Sequence, residues 1–304
     1  MKVNKKILII GGTGFIGYHL AKKSLKKGWL VTSISSSQPK QKRYLPKVKY
    51  IFCDIAKKKI LEKNIKNSFN YVVNLGGYVD HSNKEKTFKS HYLGCKNLSE
   101  VFLKRKIEAF IQMGSSGEYG RSRSPQNENS KCRPQSIYGQ AKLLSSKYLI
   151  NLYKKKNFPV TILRLYQAYG PKQDFNRLIP IVIKACLQDK HFPCSNGKQF
   201  RDFIHVDDVI DAIFNSIKSK NARGQIINIG TGRPKKIKSI IEYIKKILKG
   251  GKPQFGKIKL RKDEILKIYP NINKAKNNIN WKPKIKFDQG LKSTIKFYHE
   301  KKNQ

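Results

Sequence analysis

Ile7-Leu8-Ile9-Ile10-Gly11-Gly12-Thr13-Gly14-Phe15-Ile16-Gly17 is the stretch that decides the fold. Four consecutive apolar residues form a short buried strand, and the glycines at 11, 14 and 17 stand directly after it, where a helix opens. Each glycine has a physical task. Gly11 makes the tight turn, Gly14 lets the backbone approach a pyrophosphate, Gly17 lets the helix pack closely, and the helix amino end faces the negative charge. Thr13, Phe15 and Ile16 belong to the same cofactor contact. The bland alternative is a glycine-rich turn with no ligand. Its position at the first strand–helix junction favours the phosphate cradle.

Working outward, short apolar runs recur at Ile7–Ile10, Leu30–Ile34, Tyr50–Phe52, Tyr71–Leu75, Ala109–Met113, Val160–Leu165 and Ile226–Ile229. Stretches of helical length lie between most of them, which predicts an α/β protein with a Rossmann-type, doubly wound parallel sheet. A returning strand is also expected near Phe203–Val206, and helices near Leu178–Gln188 and Ile237–Leu248, the latter stopped by Gly250-Gly251. The expected division is a cofactor domain over residues 1–168, with returning segments at 201–230, and a smaller mixed α/β region over 169–304 that takes the substrate.

An acid usually ends the second strand, about 20 residues past the glycine loop, and holds the adenine-ribose hydroxyls. Ser35 occupies that position, and no Asp or Glu occurs from Met1 to Cys53. Ser36, Ser37, Lys40, Lys42 and Arg43 follow, a group that would attract a 2′-phosphate, so the sequence favours NADP over NAD. Asp54, just past the third strand, can receive the adenine amino group or cap a turn.

Tyr138 and Lys142 stand four residues apart, on one helix face. A nearby ammonium favours the phenolate, which makes the tyrosine a usable acid or base. Upstream, Met113-Gly114-Ser115-Ser116-Gly117-Glu118-Tyr119-Gly120 follows an apolar strand and offers hydroxyls that could polarise a substrate oxygen or cap local backbone.

The bulk numbers narrow the class. A chain of 304 residues with 38% apolar content buries a sizeable core. The formal charge of +46 comes from 65 Lys and Arg against 19 Asp and Glu. The lysines fall in scattered runs such as Lys57-Lys58-Lys59 and Lys154-Lys155-Lys156, as solvated helix faces do, and no module that reads nucleic acid accompanies them. The cysteines, Cys53, Cys95, Cys132, Cys186 and Cys194, lack a paired spacing and suit free thiols in a reducing, cytoplasmic setting. No apolar run approaches the roughly 18 residues that span a bilayer, so membrane insertion is not expected.

Taken together, these motifs resemble the extended short-chain dehydrogenase/reductase family, which includes nucleotide-sugar epimerases, 4,6-dehydratases and 4-keto-reductases. The resemblance spans the glycine loop, Asp54-Ile55, Ser115-Ser116, Tyr138 to Lys142, Arg164 to Pro171, Arg201 to Asp208, Asn228-Ile229-Gly230 and the tail Ala275 to Pro283. It implies Tyr138 as acid/base, Lys142 on the nicotinamide ribose, and Ser116 on the substrate oxygen. It also implies Ile55, Leu75 and Gly76 against the cofactor. Ser115, Gln167, Arg177, Arg201 and Arg261 are the implied contacts to a nucleotide-diphosphate sugar. No metal is implied; His205, Asp207 and Asp208 read as a strand–helix junction with an acidic helix start.

The chain departs from the family pattern at Gln167 and His91, where asparagines are usual, and its Ser-Ser-Gly-Glu-Tyr-Gly loop is one residue shorter than in dehydratases. Gly117 cannot be an acid, and Glu118 falls off the spacing of a base that abstracts a C5 proton. The compact form is similar to reductases of the GDP-4-keto-6-deoxy-mannose type, so reduction of a C4 ketone is the leading expectation, with 4-epimerisation the alternative and, behind it, 4,6-dehydration or a non-catalytic dinucleotide-sensing or nucleic-acid-associated protein. Substrate selection falls to loops 78–91 and 172–200. A homodimer through helices near 90–105 and 140–156 is the family's expectation.

Overall fold

The computed structural model describes residues 4–80, 82–260 and 264–300. The chain begins β1 (Lys6–Ile10), α1 (Phe15–Lys26), β2 (Leu30–Ser35), β3 (Val48–Phe52), α2 (Lys58–Asn64), β4 (Tyr71–Asn74), α3 (Lys84–Phe88), α4 (Gly94–Leu103), β5 (Ala109–Ser115), α5 (Ile137–Lys156) and β6 (Val160–Leu165). It continues through β7 (Gln167–Tyr169), α6 (Leu178–Leu187), β8 (His191–Cys194), β9 (Phe200–Arg201), β10 (Phe203–His205), α7 (Val206–Lys218) and β11 (Gln225–Ile229). The last part holds β12 (Lys235–Lys236), α8 (Ile237–Leu248), β13 (Lys252–Phe255), β14 (Lys267–Ile268), α9 (Asn273–Ile279) and α10 (Phe287–Glu300).

Seven strands form one sheet in the order β11-β6-β5-β4-β1-β2-β3. Every pairing in it is parallel. The strand order reverses beside β1, which places a crevice at the carboxyl ends of β1 and β4. All seven apolar runs read from the sequence fall in this sheet. Ile7 to Ile10 are at most 2% exposed, because both faces of the sheet are covered. Ile7 and Ile9 pack into the layer that holds Val209 and Ile213 of α7, whereas Leu8 and Ile10 pack with Leu98 of α4 and Leu149 of α5. That split is the strand's period of two.

One expected strand goes elsewhere. Phe203–His205 pairs with β7, in a separate two-stranded sheet, and does not rejoin the main sheet. Short apolar runs such as this suit any buried strand, and here Ile204 and Val206 still join the core beneath the main sheet. The smaller sheets, β12-β9-β14 and β13-β8, accompany a third apolar layer built from α6, α8 and α10 around Ile183, Ile241 and Ile295. Helix α8 ends at Lys249 in the left-handed region, followed by Gly250-Gly251. Among the described residues no helix is long and apolar enough to cross a membrane.

Candidate active site

The carboxyl ends of the central strands open into one cleft of about 990 Å³. Gly11, Thr13, Gly14, Phe15, Ile16, Gly17, Ser35, Ser36, Arg43, Asp54, Ile55, Leu75 and Gly76 line it, as do Ser115, Ser116, Tyr138, Lys142, Gln167, Arg177 and Arg201. Arg261 lies outside the described residues.

The glycine loop has the shape that a dinucleotide requires. Gly11 turns at φ +77°, and a Cβ on Gly17 would stand 2.2 Å from the Gly11 carbonyl oxygen, so α1 packs against the turn only without a side chain there. Helix α1 begins with Gly14 as its cap, no side chain occupies its free N–H groups, and no acid lies in its first turn. An anion fits that end by hydrogen bonding and by the helix dipole.

At the neighbouring strand ends, Ser35 is buried and its hydroxyl accepts the Thr13 N–H at 3.4 Å. Asp54 caps a turn by accepting the Ala56 N–H at 2.9 Å while lining the cleft. Arg43, expected to face a phosphate, is buried and already engaged. It donates from Nε and Nη2 to the Lys172 carbonyl at 3.1 and 2.9 Å and pairs with Asp174 at 2.5 Å. Lys40 and Lys42 stand 3.0 and 3.5 Å from the same carboxylate. Asp174 also lines the cleft, and nothing in the sequence reading had marked it.

On the other side of β1, strand β5 delivers Ser115 and Ser116 as it runs into a short 3₁₀ turn, Ser116–Glu118. Ser115 caps that turn, accepting the Gly117 N–H at 3.1 Å. The Glu118 side chain reaches back to the Ser115 N–H at 2.9 Å. Glu118 is wholly buried, takes a hydrogen bond from Ser146 at 2.8 Å, and pairs with Arg164 at 2.8 Å. It does not line the cleft. Ser116 keeps its place in the cleft without that capping duty.

Helix α5 starts at Ser136, whose hydroxyl accepts the Gly139 N–H. Tyr138 and Lys142 therefore fall in its first turns, beside the serine loop. Lys142 is buried and donates from Nζ to the Met113 carbonyl at 2.8 Å, with its ammonium 5.9 Å from the Tyr138 ring centre. His91 meets the Tyr138 ring edge-on, 4.9 Å between centroids.

Towards the smaller sheets, Gln167 and Arg177 are exposed at the cleft, and Arg201 pairs with Glu264 and donates to the Phe200 carbonyl at 2.9 Å. Asp202 and Asp208 are structural ties: Asp202 accepts from the Thr231 backbone at 2.7 Å, and Asp208 from Lys284 and Ile285 at 2.9 and 3.1 Å. Burial drives both carboxyls up, against those hydrogen bonds. His205 accepts the Asp207 N–H at 3.3 Å at the start of α7.

A parallel sheet with a phosphate cradle at one end of its cleft and a serine, tyrosine and lysine at the other defines a dinucleotide-dependent oxidoreductase class of protein. The chain belongs to the NAD dependent epimerase/dehydratase family, whose model matches residues 7–230. It is 28% identical over 330 residues to the UDP-N-acetyl-alpha-D-glucosaminuronate decarboxylase of Bacillus cytotoxicus, covering 99% of this chain and 100% of the relative. Its fold superposes on the UDP-glucose 4-epimerase of Thermotoga maritima, solved with UDP-glucose, with a TM-score of 0.92 and 25% identity over 97% of this chain and 99% of that one. The UDP-glucuronic acid 4-epimerase of Bacillus cereus, solved with UDP-glucuronic acid and NAD, gives 0.86 and 26%, with 97% and 99% covered.

These likenesses correct the cofactor. NADP was expected from Ser35 and the basic run after it, but the related structure holds NAD. The physical reason lies in Asp174: the cations that were to meet a 2′-phosphate already share an internal carboxylate. The NADP expectation is therefore withdrawn in favour of the cofactor by which the family is described, NAD.

Proposed function

We propose that this NAD-dependent enzyme is a 4-epimerase of a UDP-linked hexose or hexuronic acid. The observation that carries the reading is the removal of Glu118 from the cleft into its ion pair with Arg164. Among the described lining residues the only carboxylates are Asp54 and Asp174, both on the half of the cleft beside β2 and β3. A dehydratase of this kind needs a carboxylate near the sugar to take the C5 proton, and among the described lining residues none stands on the Tyr138 half of the cleft. Epimerisation at C4 needs one group that removes the hydroxyl proton and returns it to the same oxygen, while the C4 hydrogen leaves as hydride and would come back on the opposite face of the ketone. Reduction needs only one such group as well; the compact serine loop that favoured it remains, but the NADPH that agreed with it is withdrawn, and the similar Thermotoga maritima and Bacillus cereus structures are 4-epimerases.

Bound NAD supplies a hydride acceptor, regenerated at the end of each turnover. Tyr138 takes the proton of the C4 hydroxyl and gives it back to the C4 oxygen after the sugar has turned. Lys142, fixed by the Met113 carbonyl, keeps a positive charge beside that phenol and orients the nicotinamide ribose. Ser116 donates to the C4 oxygen, where charge develops. Thr13, Gly14, Phe15 and Ile16 hold the pyrophosphate at the start of α1. Gln167, Arg177 and Arg201 face the nucleotide diphosphate of the substrate.

The test is incubation of the protein, without added cofactor, with UDP-glucose and with UDP-glucuronic acid, followed by NMR of the sugar and absorbance of the nicotinamide. A 4-epimer forming with no net change in nicotinamide supports the reading. Carbon dioxide from the uronic acid replaces it with decarboxylation; in a parallel incubation with added NADH and a nucleotide-linked 4-keto sugar, consumption of both in step replaces it with reduction.

A further inference from the structure

In this fold the acid that recognises the adenine ribose ordinarily ends the second strand. Here β2 ends in Ser35, an uncharged side chain whose hydroxyl accepts the Thr13 N–H of the glycine loop at 3.4 Å. An acid reaches the same half of the cleft from a different part of the chain. After β7 the backbone runs through Pro171, Lys172, Gln173 and Asp174 as a strap tied down on three sides. The Pro171 carbonyl meets His19 Nε2 of α1 at 2.9 Å, and the Lys172 carbonyl takes two bonds from Arg43. Gln173 donates to the Ala168 carbonyl at 2.8 Å and accepts from the Tyr298 hydroxyl of α10. The strap therefore fixes where Asp174 stands.

Asp174 is a partly exposed carboxylate among three cations. Its Oδ1 is 3.0 Å from Lys40 Nζ and 3.5 Å from Lys42 Nζ, and its Oδ2 is 2.5 Å from Arg43 Nη2. Burial works to raise its pKa, but the Arg43 and Lys40 hydrogen bonds and charges overcome that and hold it at about 2, so it is ionised at neutral pH. A carboxylate offers about four lone-pair positions, more than these cations use. Arg43, in contrast, has its guanidinium committed to Asp174, to the Lys172 carbonyl and, at 3.5 Å, to the Thr13 carbonyl.

We propose that Asp174 is the cofactor-discriminating residue of this enzyme: delivered across the cleft by the strap, it replaces the missing acid of β2, accepting the adenine-ribose hydroxyls and rejecting a 2′-phosphate. The rejection has two parts. A phosphate of about −1.5 to −2 charge would face a fixed carboxylate, and the guanidinium that could have gripped it in a fork is already taken. The assignment concerns the adenosine half alone and holds for any conversion at the sugar, so failure of the epimerase reading leaves it standing.

The experiment is calorimetric titration of the nucleotide-stripped protein with NAD and with NADP, for wild type and for Asp174→Asn. Wild type should bind NAD at least about tenfold more tightly, and Asp174→Asn should move that ratio about tenfold or more toward NADP, as three cations lose their carboxylate. Ser35→Asp in the Asp174→Asn background should restore the preference for NAD from the usual position. If Asp174→Asn fails to fold, Arg43→Gln with Asp174→Asn removes one charge of each sign and keeps amide hydrogen bonds, and the ratio should still move toward NADP. An unchanged ratio in a folded variant, an equal loss of both affinities, or a move toward NAD in the double variant overturns the proposal.

Discussion

Glu118 and Arg164 form an ion pair, 2.8 Å from Oε2 to Nε, with their side chains 0% and 2% exposed. The pair stands behind the serine loop: Glu118 also holds the Ser115 N–H, and the Arg164 guanidinium lies 4.5 Å over the Tyr119 ring. The Tyr119 hydroxyl donates to Asn228 at 2.7 Å, so the end of β5 is tied through β6 to β11. Removing one member of such a pair strands the other charge away from water. Glu118→Gln should therefore lose about 3–5 kcal/mol of stability, measured by urea unfolding. A stable Glu118→Gln protein that has lost turnover would instead make Glu118 a reacting group.

The two adjacent serines should separate by assay. Ser115 supports the 3₁₀ turn through the Gly117 N–H, so Ser115→Ala should cost about 1 kcal/mol of stability, as loss of a helix cap does, and retain most turnover. Ser116→Ala should leave the melting temperature in place and lower kcat by about 10²-fold, the scale for one donor to a developing oxyanion. Equal kinetic losses in the two variants would remove Ser116 from that assignment.

Tyr138 and Lys142 make a second separation. Tyr138→Phe deletes one oxygen at the cleft, so turnover should fall by about 10²–10⁴-fold while NAD affinity, measured by calorimetry, stays within about threefold. Lys142 is buried and holds the Met113 carbonyl at the end of β5, so Lys142→Met should weaken NAD binding as well. Tyr138→Phe protein with undiminished epimerisation would refute the acid/base assignment.

How far the sequence carried this reading depended on whether the governing interactions were local. The seven main strands were legible because each is an apolar run, and helical stretches separate most of them. The glycine loop and the Tyr138–Lys142 spacing were legible because one turn or one helix face contains each. The strand expected near Phe203–Val206 belongs to a different sheet, because burial alone does not name a partner strand. The NADP expectation failed for a related reason: Arg43 and Lys40 were read as a free basic cluster, while their carboxylate comes from a distant strap. One signal was present. In a chain with only 19 acids against 65 Lys and Arg, an Asp that follows Tyr169-Gly170-Pro171 at the cleft was worth pairing with every nearby cation.

Asp174 also makes a prediction about acid. Its ordinary value of 3.8 applies in the unfolded chain, and in the folded protein it is held at about 2, with the Arg43 and Lys40 bonds outweighing burial. A carboxyl lowered by folding adds stability that is complete above its unfolded value and disappears as pH falls through the folded one. The cluster's contribution should therefore be whole above pH 3.8 and decline down to about 2. Other carboxyls titrate there too, so the quantity to follow is the difference between wild type and Asp174→Asn in urea midpoint from pH 6 to pH 2. That difference should be constant at the upper end and shrink across the window. Parallel curves over the whole range would mean that the Asp174 charge is not engaged by Arg43 and the lysines in solution. The protection of the Lys172–Asp174 amides against hydrogen exchange, corrected for the intrinsic pH dependence of the exchange rate, should fall in the same window, since the strap's hold on Arg43 weakens as the carboxylate takes its proton.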